Sequence, residues 1–168
     1  MMKLNLKRIF RHLLSTHGQV KRAFPQIVLT AIEQEIKASE AAHTGEIRFV
    51  LEGALSGSPL YLDQSARERA IDVFSQLRMW DTDHRNGVLI YLLLADHSVE
   101  IVADRGVDAK TGAPHWENIC RSMEAAFRDG RYEQGVVDGI VAVNHMLKKH
   151  FPSNGASRNE LPDKVLVL

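Results

Sequence analysis

The chain has 168 residues, of which 45% are hydrophobic and 25% are charged, and its 21 basic and 21 acidic side chains give no net charge. These values are typical of one globular domain with room for a small appendage, and they exclude a disordered or collagen-like chain. The single cysteine, Cys120, excludes an internal disulfide framework and a multi-cysteine zinc site, and it suits a reducing compartment.

Charge is distributed unevenly along the chain. Glu33 is the first acidic residue, and the positive charges that precede it are Lys3, Lys7, Arg8, Arg11, Lys21 and Arg22. A basic N-terminal segment of this kind would suit a phosphate-bearing surface such as a membrane. Alternatively, it would be a solvated helix face that pairs with the acidic remainder of the chain. We expect the second arrangement, with no nucleic-acid partner and with membrane contact only peripheral if it occurs.

Signal peptides and membrane-spanning segments are not expected. Positive charges interrupt the apolar runs of residues 1–16, which leaves no signal-peptide pattern. The longest apolar run, Val88 to Ala95, is far shorter than the about 20 residues that cross a bilayer. The sequence therefore predicts a soluble, unprocessed, cytoplasmic protein.

The first third of the chain is predicted to hold two helices and a strand. Helical spacing predicts a short N-terminal amphipathic helix, whose apolar stripe consists of Leu6, Ile9, Phe10, Leu13 and Leu14. We expect this stripe to dock on the domain or on a partner, with the basic residues outside. After a break at Thr16–Gly18, Pro25 begins a second helix, 26–42, and the alternating segment 46–52 predicts a strand.

The rest of the chain alternates helices and strands. After a loop, 53–63, the capping-box residues Ser65 and Glu68 predict a helix that ends near Trp80. A strand buried on both faces, 87–95, is predicted to form an antiparallel hairpin with a third strand, 99–104, through a tight turn at Asp96-His97. The remaining elements are two helices, 114–130 and 133–150, and a loose tail, 152–164, which the apolar residues VLVL follow.

This order of elements predicts an α/β sandwich with a short mixed sheet. A helix joins the first two strands, so they should be parallel and connected by a right-handed crossover. We divide the chain into an N-terminal helix and linker (1–24), an α/β domain (25–151) and a C-terminal tail (152–168).

Several segments taken together resemble one known family. They are Gly45-Glu46-Ile47-Arg48, residues 70–80 (AIDVFSQLRMW), Asn86-Gly87-Val88-Leu89, residues 99–106 (VEIVADRG), and Phe127 to Tyr132 with Gly135. In this order, over roughly residues 30–150, they resemble the TPM domain family. The resemblance implies a three-layer α/β/α domain.

The resemblance also suggests functions and partners. Members of the family are often secreted or membrane-tethered, and some are reported as calcium-binding or phosphatase-like. This chain is similar to soluble variants found beside LemA-like proteins in bacteria, which implies a LemA-like or another TPM-like protein as a partner. One fold hosts many activities, so the function must be argued from the site.

Hairpin geometry predicts a polar cluster at one end of the sheet. A two-residue turn at Asp96-His97 would place Asp104 opposite Leu89 and near Asn86. The preceding helix and the start of the first strand would bring further carboxylates to this end, so the predicted metal ligands are Asp81, Asp83, Asp104 and Glu46. Such oxygen ligands suit Ca²⁺ or Mg²⁺, and Asn86 and Arg105 are predicted to bind a ligand there. The alternative is a set of solvated turn charges with local ion pairs.

The opposite end of the sheet is a rival site. Ligands of open α/β sheets usually bind beyond the carboxyl ends of parallel strands, where Glu52, the loop 53–58 and the start of the Ser65 helix would lie. No nucleophile motif is present, and Cys120 falls on the inner stripe of its helix, where it is predicted to be a core residue.

These observations favour a non-catalytic binding or scaffold module. A divalent-metal-dependent phosphatase-like hydrolase is the first alternative, because clustered aspartates beside an arginine would hold a metal ion and a phosphate. A peripheral membrane protein that uses the first helix is the second alternative.

Overall fold

The structure, a computed structural model, describes residues 5–155 and 159–168. Within these ranges the helices are α1 (Leu6–Leu14), α2 (His17–Ala23), α3 (Gln26–Glu40), α4 (Gly57–Tyr61), α5 (Ala66–Gln76), α6 (Arg105–Thr111), α7 (Ala113–Arg128) and α8 (Tyr132–His150). The strands are β1 (Glu46–Glu52), β2 (Gly87–Leu93), β3 (Ser98–Ala103) and β4 (Leu166–Val167).

The strands form one mixed sheet in the order β3-β2-β1-β4. β1 runs parallel to β2 and to β4, whereas β3 is antiparallel to β2. Every residue of β2 is buried, which explains why its sequence is apolar at consecutive positions rather than at alternate ones.

Helices cover both faces of the sheet and form two hydrophobic cores. On one face, β1 contributes Ile47, Phe49 and Leu51 to a core shared with α3, α7 and α8. On the other face, Leu89 and Tyr91 of β2 join a core formed with α4, α5 and one residue of α1. The predicted α/β/α sandwich with a short mixed sheet is therefore confirmed.

The predicted register of the hairpin is wrong by two residues. The structure has a 3₁₀ turn, Leu94–Asp96, followed by His97 in the left-handed region at φ 51°, so the connection is longer than two residues. Val88 consequently pairs with Ala103, and the backbone N–H of Asp104 donates to the carbonyl of Gly87 at 2.8 Å. Asp104 thus lies closer to Asn86 along the ladder than the sequence predicted.

Several segments predicted as irregular are ordered. The linker after Gly18 is part of α2, and the loop after Gly53 contains α4. β3 ends at Ala103, and Asp104 is the N-cap of α6. α5 ends at Gln76 rather than near Trp80. The described residues of the segment predicted as loose, 152–164, contain no helix or strand, but the N–H groups of Glu160 and Leu161 donate to Glu46. The final residues form β4, which pairs with β1. Residues 156–158 of the C-terminal tail lie outside the described residues.

Gly87 begins the central strand where only a glycine fits. A Cβ atom at this position would overlap the carbonyl oxygen of Met79, which belongs to the backbone and has little freedom to move. We expect Gly87→Ala to lower the free energy of unfolding by about 1–3 kcal/mol, measured by urea denaturation.

The control is Gly18→Ala in α2. A Cβ there would meet only Thr16 Oγ1 at 3.6 Å, an ordinary contact, and alanine favours the helix by up to about 1 kcal/mol. If Gly87→Ala leaves the midpoint of urea unfolding unchanged, the carbonyl of Met79 does not restrict the space at Gly87.

Candidate functional site

Three backbone hydrogen bonds tie together the corner where β1 and β2 begin. The N–H of Glu46 donates to the carbonyl of Asn86 at 3.2 Å, and the N–H of Asp104 donates to that of Gly87 at 2.8 Å. The N–H of Gly106 donates to the carbonyl of Arg85 at 3.1 Å. Asn86 and Asp104 are therefore brought to one place by strand pairing, as the sequence predicted.

Each of these two side chains has one buried oxygen without a partner. Asn86 is fully buried, and its Nδ2 donates to the carbonyl of Thr44 at 2.6 Å, which fixes the orientation of the amide. Asp104 is 7% exposed, and its Oδ1 accepts the N–H of Arg105 at 2.7 Å as the N-cap of α6. The remaining oxygens, Asn86 Oδ1 and Asp104 Oδ2, accept no hydrogen bond from any described residue. Buried acceptors of this kind cost free energy, so they call for a water or an ion.

Of the other predicted site residues, Glu46 binds elsewhere in the domain and the rest are exposed. The buried carboxylate of Glu46 accepts the N–H groups of Glu160 and Leu161 at 3.1 and 3.3 Å and so holds the C-terminal segment. Burial raises the pKa of Glu46, and it outweighs the two N–H hydrogen bonds, which lower this pKa. Asp81 and Asp83 are exposed, as is Arg105 at the start of α6.

Within residues 5–155 and 159–168, no three His, Cys, Asp or Glu side chains are grouped so that they could hold a metal ion. A single ion shared by all the predicted carboxylates stays a prediction. Asn86 and Asp104 each leave one buried side-chain oxygen, an amide and a carboxylate oxygen, without a hydrogen-bond partner among the described residues.

The opposite end of the sheet holds an ionic network. Glu52 at the end of β1 accepts two hydrogen bonds from Arg69, at 2.9 and 3.0 Å, and one from the hydroxyl of Tyr91 at 2.6 Å. Burial raises the pKa of Tyr91, and the hydrogen bond to Glu52 raises it further. The carboxylate proposed for the rival ligand site is thus engaged within the domain.

α1 covers this end through its polar face. Arg8 is 8% exposed, and its guanidinium donates to Asp96 Oδ2 at 2.8 and 2.9 Å and to Asp63 Oδ1 at 2.8 Å. It also donates to the carbonyl of Gln64 at 2.8 Å. One side chain of α1 therefore joins the 3₁₀ turn to the segment before α5.

His12 makes the second polar connection. Its imidazole is fully buried, and Nδ1 accepts the N–H of Leu55 at 2.9 Å. The proton of the neutral ring then sits on Nε2, which lies 3.0 Å from Asp96 Oδ1 and donates to it. Burial alone would raise the pKa of Asp96, but hydrogen bonds from Arg8, His12 and Arg11 outweigh it and hold the pKa at about 2.

The docking of α1 corrects the sequence-based expectation. The helix does contact its own domain, but Ile9 is the one member of the predicted apolar stripe that is buried. The other members are exposed by 61–70%, and they are Leu6, Phe10, Leu13 and Leu14. The physical reason is that Arg8 and His12 find acidic and backbone partners on the domain, which fixes the helix with its stripe outward.

The fold is that of a three-layer α/β/α protein, with two buried polar side chains, Asn86 and Asp104, where its central strands begin. The model of the TPM domain matches residues 23–146, and the chain belongs to this family. No curated protein matches it significantly. No helix in the described part of the chain is long and apolar enough to cross a membrane.

Two solved structures illustrate the relationship. The NMR structure of BA42 from the psychrophilic bacterium Bizionia argentinensis is 31% identical, with a TM-score of 0.74, and the match covers 84% of this chain and 92% of BA42. The N-terminal domain of a P. gingivalis protein is 21% identical, with a TM-score of 0.57 and coverage of 70% and 72%. The second similarity supports the fold alone.

The Asp96 cluster predicts a dependence of stability on pH. Because the pKa of Asp96 in the folded state lies below the roughly 3.9 of an unfolded chain, its carboxylate stabilises the fold above about pH 4, and this contribution is lost as the pH falls towards 2. We expect Asp96→Asn to cost about 3 kcal/mol near neutral pH and to flatten the loss of stability between pH 4 and pH 2.

Asp129→Asn is the matched control for this prediction. Asp129 pairs with Arg131 at 2.9 Å, but both side chains are more than half exposed, so the change should stay within about 1 kcal/mol. Urea unfolding at a series of pH values measures both variants. Equal losses for the two variants would contradict the role given to Asp96.

Proposed function

We propose that this protein is a non-catalytic binding module that takes one divalent cation at the Asn86–Asp104 corner. The observation that carries the proposal is the pair of buried side-chain oxygens, Asn86 Oδ1 and Asp104 Oδ2, without a hydrogen-bond partner among the described residues. Strand pairing holds both residues in place, so the pair is preorganised.

The chemistry of these donors suits a hard cation. Ca²⁺ and Mg²⁺ prefer carboxylate, amide and carbonyl oxygens, and Mg²⁺ in particular keeps several waters. Two protein oxygens are few ligands for either ion, which supports weak binding in the millimolar range. A bound ion would neutralise the buried charge of Asp104 and would brace the junction of β2, β3 and α6.

Two observations support a role without catalysis. The single thiol, on Cys120, is 8% exposed, and burial raises its pKa to about 12, so it is a poor nucleophile. The two candidate oxygens also lie on buried side chains, which favours an ion over a bulky substrate. We also propose that the protein is cytoplasmic, because its buried cysteine is free rather than part of a disulfide.

Calorimetry and thermal unfolding with Ca²⁺ and with Mg²⁺ test the proposal. We expect Tm to rise progressively with millimolar cation, because binding to the folded state adds RT ln(1 + [L]/Kd) to stability. Asp104→Asn should abolish the rise. Asparagine is an equally good N-cap, so α6 should keep its cap and the variant should stay folded.

Asp108→Asn provides the control on the same helix. Asp108 lies one turn further along α6 and is exposed, so the same chemical change there should leave cation binding intact. A parent protein without heat or Tm shift, or an equal loss in both variants, would refute the site. Asp104-dependent hydrolysis of p-nitrophenyl phosphate would refute only the non-catalytic part and would favour a phosphatase-like hydrolase.

A further inference from the structure

The outer face of α1 is an exposed apolar surface. Leu6, Phe10, Leu13 and Leu14 are exposed by 61%, 63%, 61% and 70%. They follow the three- and four-residue spacing of one helix face, so they form a continuous stripe. Contiguous apolar surface of this kind on a soluble domain marks an interaction site.

This stripe is held outward by the inner face of the same helix. Arg8 and His12 are anchored to Asp96, and Ile9 is buried in the core formed with α4 and α5. A nine-residue helix would be marginal by itself in water, but here tertiary contacts already order it. A partner that meets the stripe therefore does not have to fold the helix.

Exposed positive charges accompany the stripe on α1 and on the next helix, α2. Lys7, Lys21 and Arg22 are exposed, and none of them forms an ion pair with a residue that the structure describes. No acidic residue precedes Glu33 in the sequence. The first two helices thus combine an apolar stripe with positive charges that are unpaired among the described residues, which is the pattern of helices that lie in a membrane interface.

An open groove of about 660 Å³ adjoins the stripe at Leu14. Arg11, Arg22 and His97 supply its basic groups, and Leu94 and Tyr132 belong to its less polar wall. Among the residues that the structure describes, no acidic one lines the groove. Arg11 already pairs with Asp96, whereas Arg22 has no acidic partner among the described residues. The groove offers a place for a phosphate beside an apolar surface.

We propose that the α1 stripe and the adjoining groove form a docking site for a membrane surface that contains anionic phospholipid. The stripe would enter the interface, and the groove would take a headgroup phosphate. Such a surface supplies an apolar layer and negative charge together, which matches both parts of the site. A second copy of this chain fits less well, because a symmetric contact would bring two cationic helices together.

Vesicle co-sedimentation of the full chain tests the proposal. Vesicles of phosphatidylcholine with about one third phosphatidylglycerol should bind the protein at low salt, and binding should weaken as salt rises to about 0.5 M. Phosphatidylcholine alone should bind it much less. Phe10→Ser combined with Leu13→Ser should weaken binding to anionic vesicles by roughly ten-fold or more, because the stripe loses two apolar side chains.

A matched control separates the stripe from general hydrophobicity. Ile71 on α5 and Val141 on α8 are exposed by 45% and 47%, so Ile71→Ser combined with Val141→Ser removes two apolar side chains from other surfaces and should leave binding unchanged. Arg22→Gln should reduce the preference for anionic over neutral vesicles. Circular dichroism and Tm should be close to those of the parent for all these variants, since every substituted side chain is exposed.

Three outcomes would overturn the proposal. The first is a parent protein that fails to sediment with anionic vesicles at low salt. The second is equal binding by the stripe variant and its control. The third is self-association through α1 without vesicle binding, shown by a concentration-dependent mass that Phe10→Ser with Leu13→Ser abolishes, which would assign the stripe to a second copy.

Discussion

The parallel pairing of β1 with β2 is the constraint on which the other features depend. Glu46 pairs with Gly87 and Glu52 with Leu93, so the two strands begin together and end together. Polar residues that precede or follow them must therefore collect at one end of the sheet or the other. The Asn86–Asp104 corner forms where the strands begin, and the Glu52–Arg69–Tyr91 network forms where they end. The length of the buried strands separates the two.

The helices, the mixed sheet and its layers could be predicted because their signals are local. The uniformly apolar segment of β2 and the capping box at Ser65 each lead to one element. α2 also had a local signal, since the side chain of Gln19 accepts the N–H of Thr16, but the glycine at position 18 masked it. The register was missed because the 3₁₀ turn depends on the left-handed conformation of His97, which non-glycine residues rarely adopt.

The candidate sites were only partly predictable, because side-chain partners distant in sequence decide them. The proximity of Asn86 and Asp104 follows from strand order, but the diversion of Glu46 to the segment at Glu160 does not. The outward stripe of α1 was unpredictable for the same reason. Helical periodicity finds two faces, and here Asp96, 88 residues away from Arg8, determines which face is inside.

The pairing of β4 with β1 affects how the protein can associate with other chains. Without it, the outer edge of β1 would expose unpaired N–H and C=O groups beside a buried, apolar strand. The two residues of β4 occupy this edge at Val50 and Leu51, and the carboxylates of Glu33 and Glu46 hold the tail before it by accepting backbone N–H groups. The last residues of the chain thus serve as an intramolecular cap, and release of that cap would turn β1 into a template on which an extended segment of another chain could add as a strand.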